Sequence, residues 1–586
     1  MMFTSHKTLN NLFVIIITVL MVLISTSLCL GAVSGNPFAS GWYADPDMKV
    51  YNNVYWVFPT YSAPYDQQTF MDAFSSPDLI TWTKYSKVLD KANVSWATRA
   101  MWAPSPISRN GYYYLYFGAN DIQNNTQLGG IGVARATSPQ GPYIDALGRP
   151  LIGQFYNGAQ PIDQNVFIDD DGQAYIYYGG WSHCNVAKLN SDMISLGTFS
   201  DGTTYKEITP SGYVEGVLMF KRNGKYYLMW SEGAWTNSTY CVSYAMSTSP
   251  TGPFNKLGTV LSNTSASGNA SVGVGAGHNT VVCVPGTDNW YIFYHRHPLG
   301  DSDGNHRVLC NDRMYFNADG TIQPVAMTCE DNFSDGNALG WTNYGGTWAV
   351  SGGQYTVGSY AGAKSLLNDN FSNLTYDADV SVNTTGDAGL LFRVSSPATG
   401  TDSYKGYYVG VNAGSDTVVL GKANNNWTQI AVSTQVINPS TLYHVKVVAN
   451  GSNIQVFFNN ATTACINVND TAYTSGATGF RNFNTDAKFD NVVITAGPAP
   501  TGVVFYQDGS FGGAASQVFA KGSYTLSQLQ AMGAPNDWMS SLKVPSGWTV
   551  IVYQNDNYGG TSWTFTADTP SVPAACNDQM SSCKIQ

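Results

Sequence analysis

Three acidic residues stand out by their setting, because each comes shortly before a short aromatic strand pattern and has apolar neighbours. They are Asp45, Asp163 and Glu215. A single Asp before a strand is more often a turn or cap residue, but three at the same place in repeated units favour a shared task. Glycoside hydrolysis needs such a set: a protonated acid releases the sugar oxygen, and a carboxylate activates water or attacks the anomeric carbon. Burial among apolar residues raises a carboxyl pKa and suits Glu215 to the acid role.

The elements that must position these acids are five copies of one strand pattern. A Gly or Asn turn is followed each time by a short alternating aromatic strand, at residues 52–58, 110–116, 171–177, 223–229 and 288–293. The spacing of about 50–65 residues is the length of a four-stranded propeller blade with its loops. The repeats predict a five-bladed β-propeller over residues 36–327, with an array of β-sandwiches as the alternative. Loops of different blades converge at a central funnel, where the acids would meet.

The rest of the chain also indicates β-structure, so the predicted fold class is all-β. Residues 329–496 alternate polar and apolar positions between Gly, Asn and Ser turns, which predicts one jelly-roll β-sandwich. Residues 497–502 form a linker by their Pro and Gly content. Residues 503–586 hold two copies of one unit, because the segment 536–541 matches the segment 577–582.

Composition and charge narrow the function classes. The chain has 586 residues, of which 11% are charged, and its net charge is −11. So few charged residues argue against a coiled coil or a helical bundle. The acidic balance argues against a nucleic-acid partner, which would require basic patches. The many aromatic and neutral polar residues suit an extracellular β-protein with a neutral sugar as ligand, and we expect a monomer.

The N-terminus predicts secretion. Lys7 precedes an apolar run from Leu12 to Leu30 and then a stretch of small residues, which is the order of a secretory signal peptide. We expect residues 1–34 to be removed and the rest to be extracellular, without membrane contact; an uncleaved anchor is the alternative. Without Cys29, eight cysteines remain, an even number that permits disulfides but shows neither a pairing nor a zinc-site spacing.

The propeller region resembles glycoside hydrolase family 43 over most of residues 36–327. The resemblance rests on five segments: Ala44–Asp47, Met101–Ser105, Pro161–Asp163, Val214–Gly216 and Gly277–Asn279. It implies that Asp45 is the general base, that Asp163 tunes the pKa and that Glu215 is the general acid, with inversion at the anomeric carbon. The sequence itself leaves inversion and retention open, because that outcome depends on the distance between the carboxyl groups.

The same resemblance implies three further site residues. Trp102 would form a wall of the sugar pocket, and Arg307 would contact the substrate. His278 would lie on the propeller axis, near a calcium ion or its water shell. Each also has a plainer interpretation, as a core aromatic, a surface ion pair and a buried core histidine respectively. No organic cofactor is expected.

The resemblance implies that the protein is an α-L-arabinofuranosidase or arabinanase. Its substrate would be an oligosaccharide or polysaccharide that contains arabinose or xylose. Alternatives are a β-xylosidase or galactan-active exo-glycosidase, a sugar-binding protein without activity, and a fructan-active enzyme on a related propeller. The intact acid triplet argues against a protein without activity. The dipeptide Ala44–Asp45, where fructan-active enzymes have Asn-Asp, argues against the last. The segment Pro59–Asp66 would close one end of a groove and give exo cleavage.

The C-terminal duplication resembles βγ-crystallin domains, and its Asn-Asp-x-x-Ser-Ser segments resemble the calcium motif of that family. Ca²⁺ prefers hard oxygen ligands, and the resemblance implies six ligand residues: Asn536, Asp537, Ser540, Asn577, Asp578 and Ser581. A calcium-free copy is the alternative. The middle domain resembles laminin-G-like carbohydrate-binding sandwiches, where four aromatic residues are candidates for sugar stacking or for core packing: Tyr404, Tyr407, Tyr408 and Trp427.

Overall fold

The computed structural model describes residues 34–497, 502–516, 518–545 and 547–586. The predicted signal peptide, apart from Ser34, and linker residues 498–501 lie outside this part. The regular secondary structure of the described chain is almost all β-strand, with one short helix, α1 (Leu526–Ala531), and four single 3-10 turns: Lys91–Asn93, Asn269–Ser271, Gly509–Phe511 and Asp556–Tyr558. Within the described ranges, no helix has the length and apolar character needed to cross a membrane.

Five antiparallel sheets follow one another along the first half of the chain. Blade one contains β1 (Tyr43–Tyr51), β2 (Val54–Tyr61), β3 (Phe70–Ser76) and β4 (Thr83–Asp90). Blade two contains β5 (Trp102–Arg109), β6 (Tyr112–Ala119), β7 (Gly130–Ala136) and β8 (Ile144–Asp145). Blade three contains β9 (Asn165–Ile168), β10 (Ala174–Tyr178), β11 (Asn185–Leu189) and β12 (Tyr205–Glu207). Blade four contains β13 (Glu215–Arg222), β14 (Lys225–Glu232), β15 (Cys241–Ser247) and β16 (Asn255–Leu261). Blade five has three strands: β17 (Val274–Cys283), β18 (Trp290–His297) and β19 (Val308–Met314).

These sheets close into a ring. A separate apolar cluster fills each interface between consecutive blades, including the one between blade five and blade one. In that closing interface, Val57 and Phe74 of blade one pack with Phe293 and Leu309 of blade five. The structure is therefore the predicted five-bladed propeller. Each aromatic repeat forms the second strand of its blade, so the acids that precede the repeats lie at the start of the innermost strands.

Each blade has a left-handed residue at an equivalent position in or just before its innermost strand. These residues are Asp45, Ala103, Asp163, Gly216 and His278, with φ angles of 49°, 44°, 54°, 67° and 43°. In blades one, two, four and five the strand register shifts at this point, which marks a β-bulge. A left-handed conformation costs a non-glycine residue about 1–2 kcal/mol. Such strain clusters at functional sites, where the surrounding structure enforces it.

Two positions after the left-handed residue, blades one, two, three and five each contribute one side chain to a buried polar cluster. This inter-blade cluster consists of Asp47, Ser105, Asn165 and Thr280. The Asp47 carboxylate accepts hydrogen bonds from Ser105 at 2.8 Å, Asn165 at 3.1 Å and Thr280 at 3.0 Å. Asn165 also accepts the backbone N–H of Met219, in blade four, at 3.0 Å. The cluster therefore connects all five blades close to the bulge residues.

Residues 329–496 form a two-sheet sandwich. Its strands, in chain order, are β20 (Cys329–Asp331), β21 (Trp341–Tyr344), β22 (Trp348–Ser351), β23 (Gln354–Val357), β24 (Ala361–Leu367), β25 (Leu374–Val382), β26 (Asp387–Ser395), β27 (Lys405–Asn412), β28 (Thr417–Asn424), β29 (Trp427–Thr434), β30 (Tyr443–Asn450), β31 (Asn453–Phe458), β32 (Ile466–Asn469), β33 (Ala477–Phe483) and β34 (Ala487–Ala496). One sheet has the order β22-β23-β34-β25-β30-β31-β32, with β20 beside β34, and the other has the order β21-β24-β33-β26-β27-β28-β29.

The core of the sandwich is continuous with the apolar cluster between blades four and five. Along β25 the residues alternate between buried and half-buried, as expected for a strand with one face in a core. Tyr404, Tyr407 and Tyr408 are at most 1% exposed, so these rings belong to the core and cannot stack on a bound sugar. Trp427 is half-buried and packs edge-on against Tyr408.

The C-terminal part has its own core and consists of two sheets. Its strands are β35 (Val504–Asp508), β36 (Gly512–Ala515), β37 (Gly522–Tyr524), β38 (Ser541–Lys543), β39 (Val550–Asn555), β40 (Gly559–Phe565) and β41 (Ser582–Ile585). Strand β37 of the first copy pairs with β41 of the second, and Thr569 of the second copy pairs with Leu542 of the first. The two copies are therefore interleaved. Cys576 and Cys583 are buried, and neither they nor the six other cysteines of the described chain form a disulfide.

Candidate active site

One pocket, at the end of the propeller where the innermost strands begin, contains all three predicted acids. Its walls are formed by Asp45, Tyr65, Gln68, Trp102, Ile162, Asp163, Glu215, Trp235, His278 and Arg307. The six propeller residues predicted for catalysis or binding therefore lie together. Asp45 and Asp163 are left-handed residues at equivalent positions, whereas Glu215 comes one residue before the equivalent Gly216. The expectation that all three acids occupy the same place in their blades is therefore off by one residue for Glu215.

Asp45 is buried and faces a cation. Arg307 donates from Nη1 to Asp45 Oδ1 at 3.2 Å and from Nε to Ser62 Oγ at 3.0 Å. His278 Nδ1 lies 3.4 Å from the same Asp45 oxygen. Burial alone would favour the neutral acid, but the charge of Arg307 is the largest opposing cause and holds the pKa of Asp45 well below its ordinary value. Asp45 is therefore ionised throughout the range in which the protein would work.

His295 supports Asp45 from the buried side of the site, and this contact was not predicted from the sequence. Its Nδ1 accepts the backbone N–H of Asp45 at 3.1 Å, so this nitrogen carries no proton. Burial lowers the pKa of His295 to about 3, which keeps the ring neutral. Arg307 is thus the charged group that stabilises the Asp45 carboxylate.

Glu215 has the opposite electrostatic setting. Burial raises the pKa of Glu215 above its ordinary value, and the negative charge of Asp45 raises it further. The Tyr240 hydroxyl donates to Glu215 Oε1 at 2.9 Å and opposes this shift in part. The pocket therefore contains one carboxylate and, beside it, a carboxyl group that retains its proton to a higher pH.

Asp163 lies against the backbone that follows Glu215. Its Oδ2 accepts the N–H of Gly216 at 3.2 Å and lies 3.7 Å from His278 Nδ1. Burial, and then the charge of Glu215, raise the pKa of Asp163 well above its ordinary value. A change in the charge of Asp163 is thus felt directly by Glu215.

Tyr240 is a second site residue that was not predicted from the sequence. Besides its bond to Glu215, its ring stacks on His295 with centroids 5.6 Å apart. A Cβ at position 277 would lie 2.2 Å from the Tyr240 ring, so the glycine in Gly277–Asn279 is needed for this approach. The glycine of this motif is the sequence signal that could have indicated a bulky side chain packed against this strand.

Aromatic rings form the walls around the acids. Trp102 donates its indole N–H to Gln68 and packs edge-on against Tyr65, with centroids 4.8 Å apart. The Arg307 guanidinium lies 4.7 Å from the centre of the Trp235 ring. Tyr65 belongs to the segment Pro59–Asp66, which therefore does reach the pocket. Apolar faces beside a few convergent polar groups are typical of sugar sites.

The described residues around His278 do not form a set of ligands for the predicted ion. His278 Nδ1 faces Asp45 and Asp163, and Asp45 is already paired with Arg307. In the described part of the chain, no three His, Cys, Asp or Glu side chains are grouped so that they could hold a metal. The residues do not fit a directly bound ion, and no step below depends on one.

The six residues predicted to bind calcium come together between the two C-terminal copies. Ser581 Oγ donates to Asn536 Oδ1 at 2.8 Å, and the backbone N–H of Asp537 donates to Met580 O at 3.1 Å. The reciprocal contacts join Ser540 to Asp578 and the N–H of Asp578 to Met539 O. Asn536 and Asn577 each donate to the Asp that follows them. Each segment offers carboxylate, amide and hydroxyl oxygens, the ligand types that suit Ca²⁺.

Comparison with known proteins identifies two regions. The profile of glycosyl hydrolases family 43 matches residues 34–322, and that of the 3-keto-alpha-glucoside-1,2-lyase-like domain matches residues 330–495. The Beta-D-galactofuranosidase xynD of Aspergillus niger is 48% identical over 309 residues, which cover 51% of this chain and 86% of that protein. Xylosidase/arabinosidase 43A of Humicola insolens is 26% identical over 48% of this chain and 95% of its own length.

Solved structures match the same half of the chain. A family-43 beta-xylosidase/alpha-arabinofuranosidase from a compost microbial metagenome is 26% identical, with a TM-score of 0.43, over 50% of this chain and 97% of its own. An alpha-L-arabinofuranosidase from Clostridium thermocellum is 31% identical, with a TM-score of 0.40, over 50% and 96%. The 48% identity to the Aspergillus protein and the profile match show that the chain belongs to glycosyl hydrolases family 43. The chain is therefore a glycoside hydrolase that acts on O-glycosyl bonds.

Proposed function

We propose that the protein is an exo-acting furanosidase that removes single furanose units from a polysaccharide by one-step inverting hydrolysis. The observation that carries this proposal is the pocket in which Asp45 is held ionised and Glu215 is biased toward the neutral acid. Two carboxyl groups with separated pKa values are what acid/base hydrolysis of a glycoside requires.

The roles follow from the contacts. Asp45, stabilised by Arg307, accepts a proton from the water that attacks the anomeric carbon. Glu215 donates its proton to the departing glycosidic oxygen. At the end of this step Asp45 is protonated and Glu215 is ionised. Asp163 does not contact the reacting atoms in this scheme. It positions the backbone at Gly216 and adjusts the pKa of Glu215.

The favoured sugar is β-D-galactofuranose, and α-L-arabinofuranose is the second candidate. The first is supported by the 48% identity to the Aspergillus galactofuranosidase, and the second by relatives named as arabinofuranosidases. The two sugars share the configuration of their five-membered ring and differ in the exocyclic chain at C4. A pocket that orients the ring through Arg307 and Trp102 would therefore accept both, and the space around the exocyclic chain would set the preference.

Exo cleavage is supported by the position of Tyr65. This residue, from the segment after blade one, lies against Trp102 at one side of the pocket. A wall at this place leaves room for a terminal sugar and restricts passage of a continuous chain. The product would be a monosaccharide from the first turnover.

The test is a panel of 4-nitrophenyl β-D-galactofuranoside, α-L-arabinofuranoside and β-D-xylopyranoside, with the product followed by proton NMR. We expect the two furanosides to be cleaved and the galactofuranoside to give the higher kcat/KM. The first anomer seen should have the configuration opposite to that of the substrate. Retention of configuration would contradict the one-step mechanism, and cleavage of the xyloside alone would contradict the furanosidase assignment.

Three further features belong to the proposal. We infer secretion from the signal-type N-terminus, a monomeric state, and calcium binding by a crystallin-like C-terminal domain. Calcium is supported by the oxygen-rich pairing of the segments 536–541 and 577–582. Asn536, Asp537 and Ser540 of one segment and Asn577, Asp578 and Ser581 of the other would supply the ligands. The ion would fix the two copies against each other.

A further inference from the structure

A second, larger cavity lies at the junction of the propeller and the sandwich. This junction cavity has a volume of about 860 Å³ and is lined by the chain entering blade one, by blade five and by the first strands of the sandwich. Pockets that hold organic ligands usually measure about 300–1,000 Å³. None of its lining residues belongs to the catalytic pocket described above.

The junction cavity contains a buried cation whose hydrogen bonding is incomplete. Arg296, at the end of β18, is 7% exposed, and its Nη1 has no hydrogen-bond partner. Buried donors in native proteins nearly always have an acceptor. Arg296 therefore places a positive charge at the wall of the cavity, which favours a ligand with oxygen acceptors.

The other lining groups indicate a carbohydrate. Trp42 is 37% exposed, and Trp341 lies on the sandwich side. The half-buried Glu330 and the exposed Asn368 add a carboxyl and an amide. Aromatic faces combined with amide, carboxyl and guanidinium groups match the apolar faces and hydroxyls of sugar rings.

The junction cavity is connected to the catalytic pocket through a short series of contacts. The Trp42 ring stacks on His306 with centroids 4.2 Å apart, and the next residue, Arg307, holds Asp45. Ser62 donates its N–H to Trp42 O and accepts a hydrogen bond from Arg307. A chain that leaves the catalytic pocket on this side would meet Trp42 first.

We propose that the junction cavity binds a segment of the substrate polysaccharide, beyond the sugar unit that is being cleaved. The proposal rests on the furanosidase function. It gives the sandwich a role, because Asn368 and Trp341 form one side of the cavity. Polymer recognition would then use the junction cavity, and bond cleavage would use the catalytic pocket of the propeller.

The test compares a short and a long substrate. We expect Trp42→Ala and Asn368→Ala each to lower kcat/KM about tenfold, mainly through KM, on a β-1,5-linked galactofuranose tetrasaccharide or its α-1,5-linked arabinofuranose counterpart. For Asn368→Ala, which is not connected to Arg307, kcat/KM on the 4-nitrophenyl furanosides should stay within about twofold of the parent enzyme. Tyr315→Ala, another exposed aromatic on blade five, should change neither. Equal loss on both substrates for Asn368→Ala, or no loss, would overturn the proposal.

A binding experiment separates this inference from the furanosidase assignment. Full-length protein with Glu215→Gln is titrated with each tetrasaccharide by calorimetry, with and without Trp42→Ala. We expect tetrasaccharide binding that Trp42→Ala weakens about tenfold. If no furanoside is cleaved but this binding persists, the function assigned to the pocket is wrong and the junction site stands. If Trp42→Ala leaves tetrasaccharide binding unchanged, or no binding is seen, the junction proposal is wrong.

Discussion

Asp45 and Glu215 lie in one pocket, yet their neighbours shift their pKa values in opposite directions. Burial acts in the same sense on both, and the difference comes from Arg307, which lies within hydrogen-bonding distance of Asp45. Tyr240 then moderates the upward shift of Glu215 through one hydrogen bond. Single contacts thus decide which carboxyl group carries the proton.

Tyr240→Phe tests this balance through the pH profile. With Glu215 as the proposed general acid, activity requires its protonated form and should fall as the pH rises through the pKa of that group. The Tyr240 hydroxyl stabilises the carboxylate and lowers this pKa, so its removal should shift the alkaline limb of kcat/KM to higher pH. Tyr294→Phe, which removes a buried hydroxyl bonded to Asp312 outside the pocket, should leave the limb in place. An unchanged or lower alkaline limb for Tyr240→Phe would contradict the assignment of Glu215.

The sequence could predict the acids and Trp102, because they lie in recognisable motifs, and the family resemblance indicated Arg307. It could not predict the contact of Tyr240 with Glu215 or that of His295 with Asp45. Tyr240 reaches Glu215 across 25 positions, and His295 reaches Asp45 across 250 positions. Tyr240 contacts Glu215 within blade four, whereas His295 reaches Asp45 because blade five closes against blade one, and neither contact leaves a local sequence pattern.

At the level of elements, the innermost strands contribute both to the pocket and to the contacts between blades. In several blades the left-handed residue lines the pocket, and the residue two positions later belongs to the inter-blade cluster. Asp45 and Asp47 are the pair in blade one, and His278 and Thr280 are the pair in blade five. The five aromatic repeats made the blades predictable. The polar partners of Asp47 could not be predicted, since they lie on separate blades.

Asp47→Ala should destabilise the propeller by about 3 kcal/mol, because it leaves three buried donors without their acceptor. The measurement is denaturant unfolding followed by tryptophan fluorescence. Lys49→Met removes only the partly exposed partner of Asp47 and should cost less than about 1 kcal/mol. Similar costs for both variants would show that the inter-blade cluster does not hold the blades together.

At the scale of the whole molecule, the propeller and the sandwich share one core, whereas the C-terminal part has a core of its own. The duplication in the sequence indicated two similar units. The interleaving of β37 with the second copy could not be predicted, because it depends on long-range strand pairing. The C-terminal part should therefore unfold as a separate unit.

Calcium should raise the melting temperature of that unit alone. We expect calorimetry of the full chain to show one transition that moves upward with added Ca²⁺ and downward with a chelator, since a ligand that binds only the folded state stabilises it. Asp537→Asn with Asp578→Asn should abolish the shift, and Asp508→Asn, outside the paired segments, should retain it. A shift that persists in the double variant would place the calcium site elsewhere.

We propose Glu215 as the proton donor and Asp45 as the base around one sugar. The dependence of each variant on the leaving group tests these two roles. Glu215→Gln should lose about 10²–10⁴-fold in kcat/KM on a furanose disaccharide, but much less on the 4-nitrophenyl furanoside, whose leaving group departs without a proton. Asp45→Asn should lose activity equally on both, and Asp170→Asn, on the exposed surface of blade three, on neither. Equal losses for Glu215→Gln on the two substrates would contradict the account.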